Sequence, residues 1–187
     1  MIRFEKIKAM SLEELGYFLS AIQWDSNEPT GQEMIAWLLE EWEDLEEVES
    51  MINEFKGQYY FLSNFYTAPV TWCGITYQNN EAAFQSAKVL DNSLREEFAV
   101  LDPASAKKMG RRVHLRDDWE TVKYNVMYEI CLAKFSQNEN LKAMLLETGD
   151  KHLEEGNTWG DKVWGTVNGE GENNLGKILM RVRAELR

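Results

Sequence analysis

The feature that most constrains the fold of this chain is an aromatic stretch, residues 57–78, with the pattern of a β-hairpin. Val70 and Trp72 precede a Cys73-Gly74 pair, and Ile75 and Tyr77 follow it. Alternation of apolar residues with a period of two is typical of a half-buried strand, and a two-residue connection containing glycine is typical of a tight turn. The pattern therefore predicts a small antiparallel sheet.

A helix is predicted directly after this hairpin. Asn79 and Asn80 are residue types that favour the N-cap position, which places Glu81 in the first helical turn. Gln85 and Lys88 follow Glu81 at spacings that put all three side chains on one helix face. Such a row of carboxylate, amide and ammonium groups can orient a water molecule or a sugar hydroxyl. An exposed, ion-paired helix face has the same spacing and is the alternative interpretation.

Most of the remaining chain has helical periodicity. Helices are predicted over residues 94–101, 104–109, 119–147 with a restart near Asn140, and 175–186. Together with the hairpin, these segments predict a mainly helical α+β domain.

The first third of the chain has a different character. Residues 1–56 contain 4 Lys/Arg and 14 Asp/Glu, a net charge of −10, whereas residues 57–187 contain 16 and 18, a net charge of −2. Two helices are predicted there, the second from about Glu33 to Glu54. We therefore expect an acidic helical extension over residues 1–55, followed by the main domain over residues 56–187. The extension either packs on that domain or mediates protein contacts or self-association.

A cluster of cations lies in the middle of the chain. Six of them fall within seventeen residues: Lys107, Lys108, Arg111, Arg112, Arg116 and Lys123. The planar fork of arginine is suited to phosphate recognition, so this cluster is a candidate phosphate site, with surface solubility as the alternative. The acidic first third opposes tight binding to a long duplex, because such binding requires many phosphate-neutralising cations.

A glycine-rich segment, residues 156–176, leads into the last predicted helix. It carries Trp159, Asp161 and Trp164, and its spacing of glycines is neither a Walker A nor a Rossmann pattern. Glycines permit close backbone approach, and the N-terminus of a helix favours an anion. We expect the loop of residues 156–173 to lie against the start of the Glu81 helix and to form one pocket with it.

Composition limits the remaining options. Cys73 and Cys131 are isolated and His114 and His152 are single, so neither a structural zinc site nor another metal site is predicted. No apolar run is long enough to span a membrane, and no secretory signal is recognised at the N-terminus. A cytoplasmic protein without a cofactor is expected, in a host cytoplasm if a phage encodes it.

Several ordered elements resemble the NADAR, or YbiA-like, family. They begin with Phe-Leu-Ser-Asn-Phe and Asn-Asn-Glu-Ala-Ala-Phe-Gln-Ser-Ala-Lys, and continue with Met109-Gly110-Arg111, Arg116-Asp-Asp-Trp119, Lys134-Phe135, Trp164-Gly165 and Gly169-x-Gly171-x-Asn173. The resemblance covers about residues 57–187. It implies a YbiA-like fold and an N-glycosidase that needs no metal and acts on a ribose-linked substrate.

The resemblance matches Glu81, Trp119 and Asp161 to positions that the family uses at its active site, and residue chemistry adds further candidates. Glu81 is the first candidate for the catalytic carboxylate and Asp161 the second, with Lys88 assisting. Trp119, Trp159 and Trp164 are candidates for stacking on a flat base. The remaining predicted substrate contacts are Asn64, Phe65, Gln85, Arg111, Arg116, Gly169, Gly171 and Asn173.

Three functions stay open at this point. The first is hydrolysis of an ADP-ribose-type conjugate, such as ADP-ribosylated guanine in nucleic acid or a NAD-derived nucleotide. The second is the same chemistry on phosphoribosylated intermediates of riboflavin synthesis. The third is a module that binds an ADP-ribose-like ligand without turnover, which would suit a phage that counters host defence.

Overall fold

The computed structural model describes residues 51–187, which form an α+β fold dominated by helices. The predicted acidic helices of residues 1–50 lie outside the described residues. In chain order the elements are β1 (Met51–Ile52), a 3-10 helix (Gly57–Leu62), β2 (Thr67–Trp72), β3 (Ile75–Asn79), α1 (Asn80–Ser86), α2 (Asn92–Phe98), α3 (Pro103–Gly110), α4 (Trp119–Gln137), α5 (Glu139–Glu147), β4 (His152–Leu153) and α6 (Asn174–Glu185).

The predicted hairpin is confirmed. Strands β2 and β3 pair in antiparallel fashion, with Val70 opposite Tyr77. Cys73 and Gly74 form the turn, with φ angles of 49° and 80°. Positive φ at both central residues matches the right-handed twist of the strands and is least costly for glycine. The buried side chains of Val70 and Tyr77 face the helices, so the turn chemistry and the alternation agree.

Helix α1 begins where the sequence predicts. The Asn79 side chain accepts a hydrogen bond from the backbone N–H of Ala82 at 2.8 Å, which satisfies a donor that the first helical turn leaves free. The backbone N–H of Glu81 donates to the carbonyl of Asn64 at 3.1 Å. All seven residues of α1 are buried, including Glu81 and Gln85, so this polar row is not a solvated face.

The long helix α4 packs against α1, the hairpin and α6. Its side chains Ile130, Cys131 and Phe135 are fully buried, in agreement with the helical periodicity that predicts them as core. The predicted helix bounds elsewhere agree with the structure to within about one turn. None of the helices described within residues 51–187 is long and apolar enough to cross a membrane.

One prediction is wrong at the N-terminal edge of the described region. Residues 51–54 belong to the predicted acidic helix, but Met51 and Ile52 form strand β1, which pairs in parallel with β4. The backbone N–H of Glu154 donates to the carbonyl of Ile52 at 2.8 Å. The strand exists because a partner about 100 residues away supplies these hydrogen bonds, and local periodicity contains no information about that partner.

Lys134 of α4 connects this core to the segment before the hairpin. Its ammonium is fully buried and donates to the carbonyls of Phe61 at 2.7 Å and Ser63 at 2.9 Å. These carbonyls lie at the end of the 3-10 helix, next to Asn64. Burial lowers the pKa of Lys134 to about 7, although the two carbonyl contacts favour the charged form.

Replacing Lys134 with methionine should therefore destabilise the domain. The substitution keeps the apolar stem but leaves two buried carbonyls without a donor, so we expect a loss of about 2–4 kcal/mol in the free energy of unfolding. Urea denaturation provides the measurement. Lys177→Met, on the exposed face of α6, is the matched control. Equal stabilities for the two variants would contradict the bridging role of Lys134.

Candidate active site

A cavity of about 860 Å³ lies beside the start of α1. Its walls come from the 3-10 helix and the segment that follows it, α1, α3, α4 and the loop after β4. Ten of the predicted site residues line it: Asn64, Phe65, Glu81, Gln85, Lys88, Arg111, Trp119, Trp159, Asp161 and Trp164. The glycine-rich loop and the Glu81 helix thus border one pocket, as expected, while the chemical role of each residue stays a prediction.

Glu81 is a buried carboxyl group in this cavity, with 6% of its surface exposed. Gln85 donates to its Oε1 from Nε2 at 2.8 Å, one helical turn away. Burial raises the pKa of Glu81, and the Gln85 hydrogen bond and the charges of Lys107 and Lys88 oppose that rise.

Lys88 does not form an ion pair with Glu81. It donates to the carbonyl of Gly110 at 3.1 Å, and its ammonium lies 5.9 Å from the centre of the Trp119 ring. Lys107 lowers the pKa of Glu81 more than Lys88 does. The structural reason is that α1 ends at Ser86, so Lys88 lies beyond its last turn and reaches α3 instead.

The packing around residue 110 explains why the Met-Gly-Arg element has glycine there. A Cβ atom at this position would lie 1.9 Å from Oε1 of Gln85. The last turn of α3 therefore needs glycine so that the Gln85 carboxamide can lie against it and still hold Glu81.

Aromatic side chains form another part of the cavity wall. The Phe84 ring packs against Trp119 and Trp164, with ring centroids 5.1 and 5.2 Å apart. Trp119 is buried, whereas Trp159 lies at the mouth with 60% of its surface exposed. Flat apolar surfaces of this kind suit a planar base.

Asp161 lines the cavity and also organises its own loop. Its Oδ1 accepts from the backbone N–H groups of Val163 at 3.0 Å and Trp164 at 2.9 Å. Asn157 in turn accepts from the backbone N–H of Asp161 at 3.0 Å. These contacts form a tight turn that brings Trp164 against Phe84.

Four predicted substrate contacts do not line the cavity. Arg116 is instead paired with Asp118 through two hydrogen bonds of 2.5 and 2.9 Å. Gly169 adopts a φ of 76° in a turn, and a Cβ atom at Gly171 would lie 2.3 Å from the carbonyl of Gly165. The glycines thus shape the loop.

Asn173, the fourth of these residues, lies outside the cavity and binds the backbone of the segment after β4. Its side chain accepts from the backbone N–H of Glu155 at 3.1 Å and donates to the carbonyl of Leu153 at 2.9 Å. These bonds fix the segment that follows β4.

The segment after β4 presents an acidic residue, Glu155, that the sequence patterns did not predict as part of the site. Glu155 lines the cavity, and burial raises its pKa to about 7, with further increases from the nearby charges of Asp161 and Glu81. Lys107 acts in the opposite direction. The only local signal for Glu155 is an acid just after a short apolar segment and before a glycine-rich loop. Lys107 and Lys123 also line the cavity, and their place in the cation cluster was the available signal.

The cavity therefore combines two kinds of charge. Glu81, Glu155 and Asp161 supply carboxyl groups, and Lys88, Lys107, Arg111 and Lys123 supply cations. Within residues 51–187, no group of three His, Cys, Asp or Glu side chains is arranged to bind a metal ion. The arrangement suits a ligand with an electron-poor centre and anionic substituents.

Comparison with known proteins identifies the family. The family model for the NADAR domain matches residues 52–187. The chain belongs to the NADAR family. N-glycosidase YbiA of Shigella boydii is 42% identical over 128 residues, which cover 66% of this chain and 79% of that protein. The Escherichia coli protein of the same name is 41% identical over the same shares.

Other NADAR relatives have different names. A riboflavin biosynthesis protein of Vibrio vulnificus is 38% identical over 130 residues, 67% of this chain but 35% of that protein. The NMR structure of E. coli YbiA matches with a TM-score of 0.65 and 38% identity, and the match covers 73% of this chain and 85% of that one. The YbiA-like α+β fold is thus confirmed.

Replacing Glu155 with glutamine should change how stability depends on pH. The folded-state pKa is raised from 4.5 to about 7, so the folded protein retains a proton that the unfolded chain loses. This group therefore lowers wild-type stability as pH rises through that window, by about 1.4 kcal/mol per pH unit at most. We expect Glu155→Gln to gain stability over wild type from pH 4.5 to 7.

Melting temperatures of the two proteins across this range test the expectation. Glu97→Gln, an exposed change on α2, controls for the loss of one negative charge. A constant difference between Glu155→Gln and wild type at every pH would show that Glu155 titrates alike in the folded and unfolded states.

Proposed function

We propose that this protein is an N-glycosidase that hydrolyses the bond between a ribose and a nitrogen in an ADP-ribose-type conjugate. ADP-ribosylated guanine and NAD-derived nucleotides are the substrates that fit this description. The observation that carries the proposal is the buried Glu81 carboxyl group, which lies in one cavity with several cations and an aromatic wall.

The chemistry of N-glycoside cleavage matches these groups. As the bond from the anomeric carbon to nitrogen breaks, positive charge develops on the sugar, as in other glycoside hydrolysis. A carboxylate beside that carbon stabilises the charge or accepts a proton from the attacking water. Gln85 and the position in the first turn of α1 hold the Glu81 carboxyl group in place, which supports this role.

The cations favour a phosphorylated sugar. Lys107 comes from α3, Arg111 directly follows that helix, and Lys123 comes from α4 on a neighbouring wall. An ADP-ribose moiety offers a pyrophosphate to this group and an adenine to the aromatic side chains. The volume of about 860 Å³ lies in the range of typical ligand pockets and suits a dinucleotide-sized ligand.

The names of the relatives support the reaction more than the substrate. Several are called N-glycosidase, which supports cleavage of an N-glycosidic bond. Others are called riboflavin biosynthesis proteins, which favours phosphoribosylated intermediates of that pathway as the alternative substrates. A third candidate, a module that only binds ADP-ribose-like ligands, is less favoured because Glu81 is placed in the cavity.

The acidic N-terminal segment bears on the form of the substrate. A net charge of −10 in residues 1–56 opposes the approach of a long duplex. A free nucleotide or a short single-stranded end is therefore the better substrate. We also propose that this segment mediates protein contacts or self-association. The proposed location of the protein is the cytoplasm of a cell, or of the host if a phage encodes it.

Glu81→Gln should strongly reduce turnover while preserving binding. The amide retains the shape and the contact with Gln85 but cannot carry the stabilising charge, so we expect kcat to fall by about 10²–10³-fold. Wild type and Glu81→Gln are each incubated with a panel of candidate substrates, and the released base is measured by mass spectrometry. The panel contains ADP-ribosylated guanine nucleotides, NAD, cyclic ADP-ribose isomers and the phosphoribosylaminopyrimidine of riboflavin synthesis.

Glu97→Gln, on the exposed face of α2, is the control and should behave as wild type. Binding without release of a base by the wild-type protein would leave the sequestering module as the function. Release that Glu81→Gln does not reduce would remove Glu81 from the mechanism.

Arg111→Met should weaken substrate binding more for ADP-ribose conjugates than for the corresponding ribosides without phosphate. Loss of one charge-assisted hydrogen bond raises KM by roughly 10–100-fold. The matched control is Arg112→Met, which removes an adjacent exposed cation that does not line the cavity. Equal KM values for the two variants would exclude Arg111 as a phosphate contact.

A further inference from the structure

Glu155 is a carboxyl group in the cavity whose position is fixed through its backbone. Its N–H donates to Asn173, and its carbonyl accepts from the backbone N–H of Thr166 at 3.0 Å. Gly165 permits this approach, because a Cβ atom there would lie 2.1 Å from the Glu155 carbonyl. The side chain is thus presented to the cavity from a rigid support, as a reacting group requires.

The surroundings of Glu155 differ from those of Glu81. A side-chain donor and two lysines act on Glu81 in favour of its charged form. Among residues 51–187, no donor contacts the Glu155 carboxyl group, and the ionisable groups that act on it are Asp161, Glu81 and Lys107. The buried Cys131 thiol of α4 is also within its electrostatic reach.

Carboxyl groups that act on one another in one cavity do not all ionise together. The carboxyl group that accepts the fewest hydrogen bonds retains the proton, and in this cavity that group is Glu155. Two acids whose environments separate their protonation states are the usual arrangement for acid and base roles in one site.

We propose that Glu155 is the general acid of the N-glycosidase reaction and donates its proton to the departing nitrogen of the base. This inference rests on the proposed function and assigns a residue that neither the sequence motifs nor the comparisons identify. Glu81 remains the carboxylate that faces the developing charge on the sugar.

The bond between C1′ of the ribose and the nitrogen breaks, and its electron pair stays on the nitrogen. The proton of Glu155 moves to that nitrogen, and the base leaves as a neutral amine. Water then adds to C1′ and gives its proton to Glu81. Return of one proton from Glu81, through solvent, to the Glu155 carboxylate restores the starting state, so that the net change is hydrolysis.

The pH dependence of kcat in Glu155→Gln tests this assignment. With an ADP-ribosylated guanine nucleotide as the probe, the wild-type rate should fall as pH rises through about 7, because the acid must be protonated. Glu155→Gln should lose about 10²–10⁴-fold in kcat below that pH and should lack the fall. The KM should change little, since a proton donor acts on the transition state.

Glu154→Gln is the matched control. Its carboxylate accepts from the Thr166 hydroxyl at 2.5 Å and does not line the cavity. This variant removes an adjacent negative charge and should retain the wild-type pH profile. Thermal melts of both variants establish that each is folded during the assay.

A second probe examines the leaving group. Nicotinamide departs from NAD as a neutral molecule and needs no proton, whereas the amine of ADP-ribosylated guanine does. If the wild-type protein cleaves both, Glu155→Gln should lose rate on the guanine conjugate and retain it on NAD. If NAD is not cleaved, the pH profile decides.

The outcomes separate this inference from the proposed function. If wild type cleaves the probe, Glu81→Gln does not, and folded Glu155→Gln keeps both the rate and the fall above pH 7, then Glu155 is not the acid and the N-glycosidase proposal stands. If wild type releases no base from the probe or from any member of the panel, the proposed function fails, and the inference fails with it.

Discussion

The complete burial of helix α1 is the constraint on which the rest of this structure depends. A helix that is enclosed on every side needs partners for its polar groups as well as its apolar ones. Asn79 supplies the cap, the Asn64 carbonyl accepts from the Glu81 N–H, and Gln85 binds the Glu81 carboxyl group. Glu81 is thereby held in a buried position from which it reaches the cavity.

Opposite charges make this burial tolerable. The cavity places lysines of α3 and of the turn after α1 near Glu81, while Glu155 and Asp161 approach from the loop after β4. An isolated buried carboxylate would be costly, and a set of carboxyl groups beside cations divides into protonated and ionised members instead. The raised pKa of Glu155 costs stability. It also keeps a proton on the group that the proposed reaction uses as a donor.

The support for this site comes from distant parts of the chain. Lys134 of α4 binds the carbonyls that precede Asn64, and Asn173, at the start of α6, binds the backbone of Glu155. The glycines at positions 110, 165 and 171 are required by close packing against Gln85 or against neighbouring backbone. Their contribution is to the shape of the pocket, which explains why predicted ligand contacts such as Gly171 and Asn173 lie outside it.

The amino-acid sequence by itself determined the local elements: the hairpin turn at Cys73-Gly74, the Asn79 cap, the helical stretches and the placement of Glu81 in the first turn. These features follow from side-chain chemistry within a few residues, and the ordered motifs also indicated the family. Tertiary structure alone decided that β1 is a strand, that Lys88 reaches Gly110 and that Glu155 enters the cavity. Each of those outcomes depends on partners far apart in the chain, and burial, which sets the protonation of Glu155, exists only after the chain has folded.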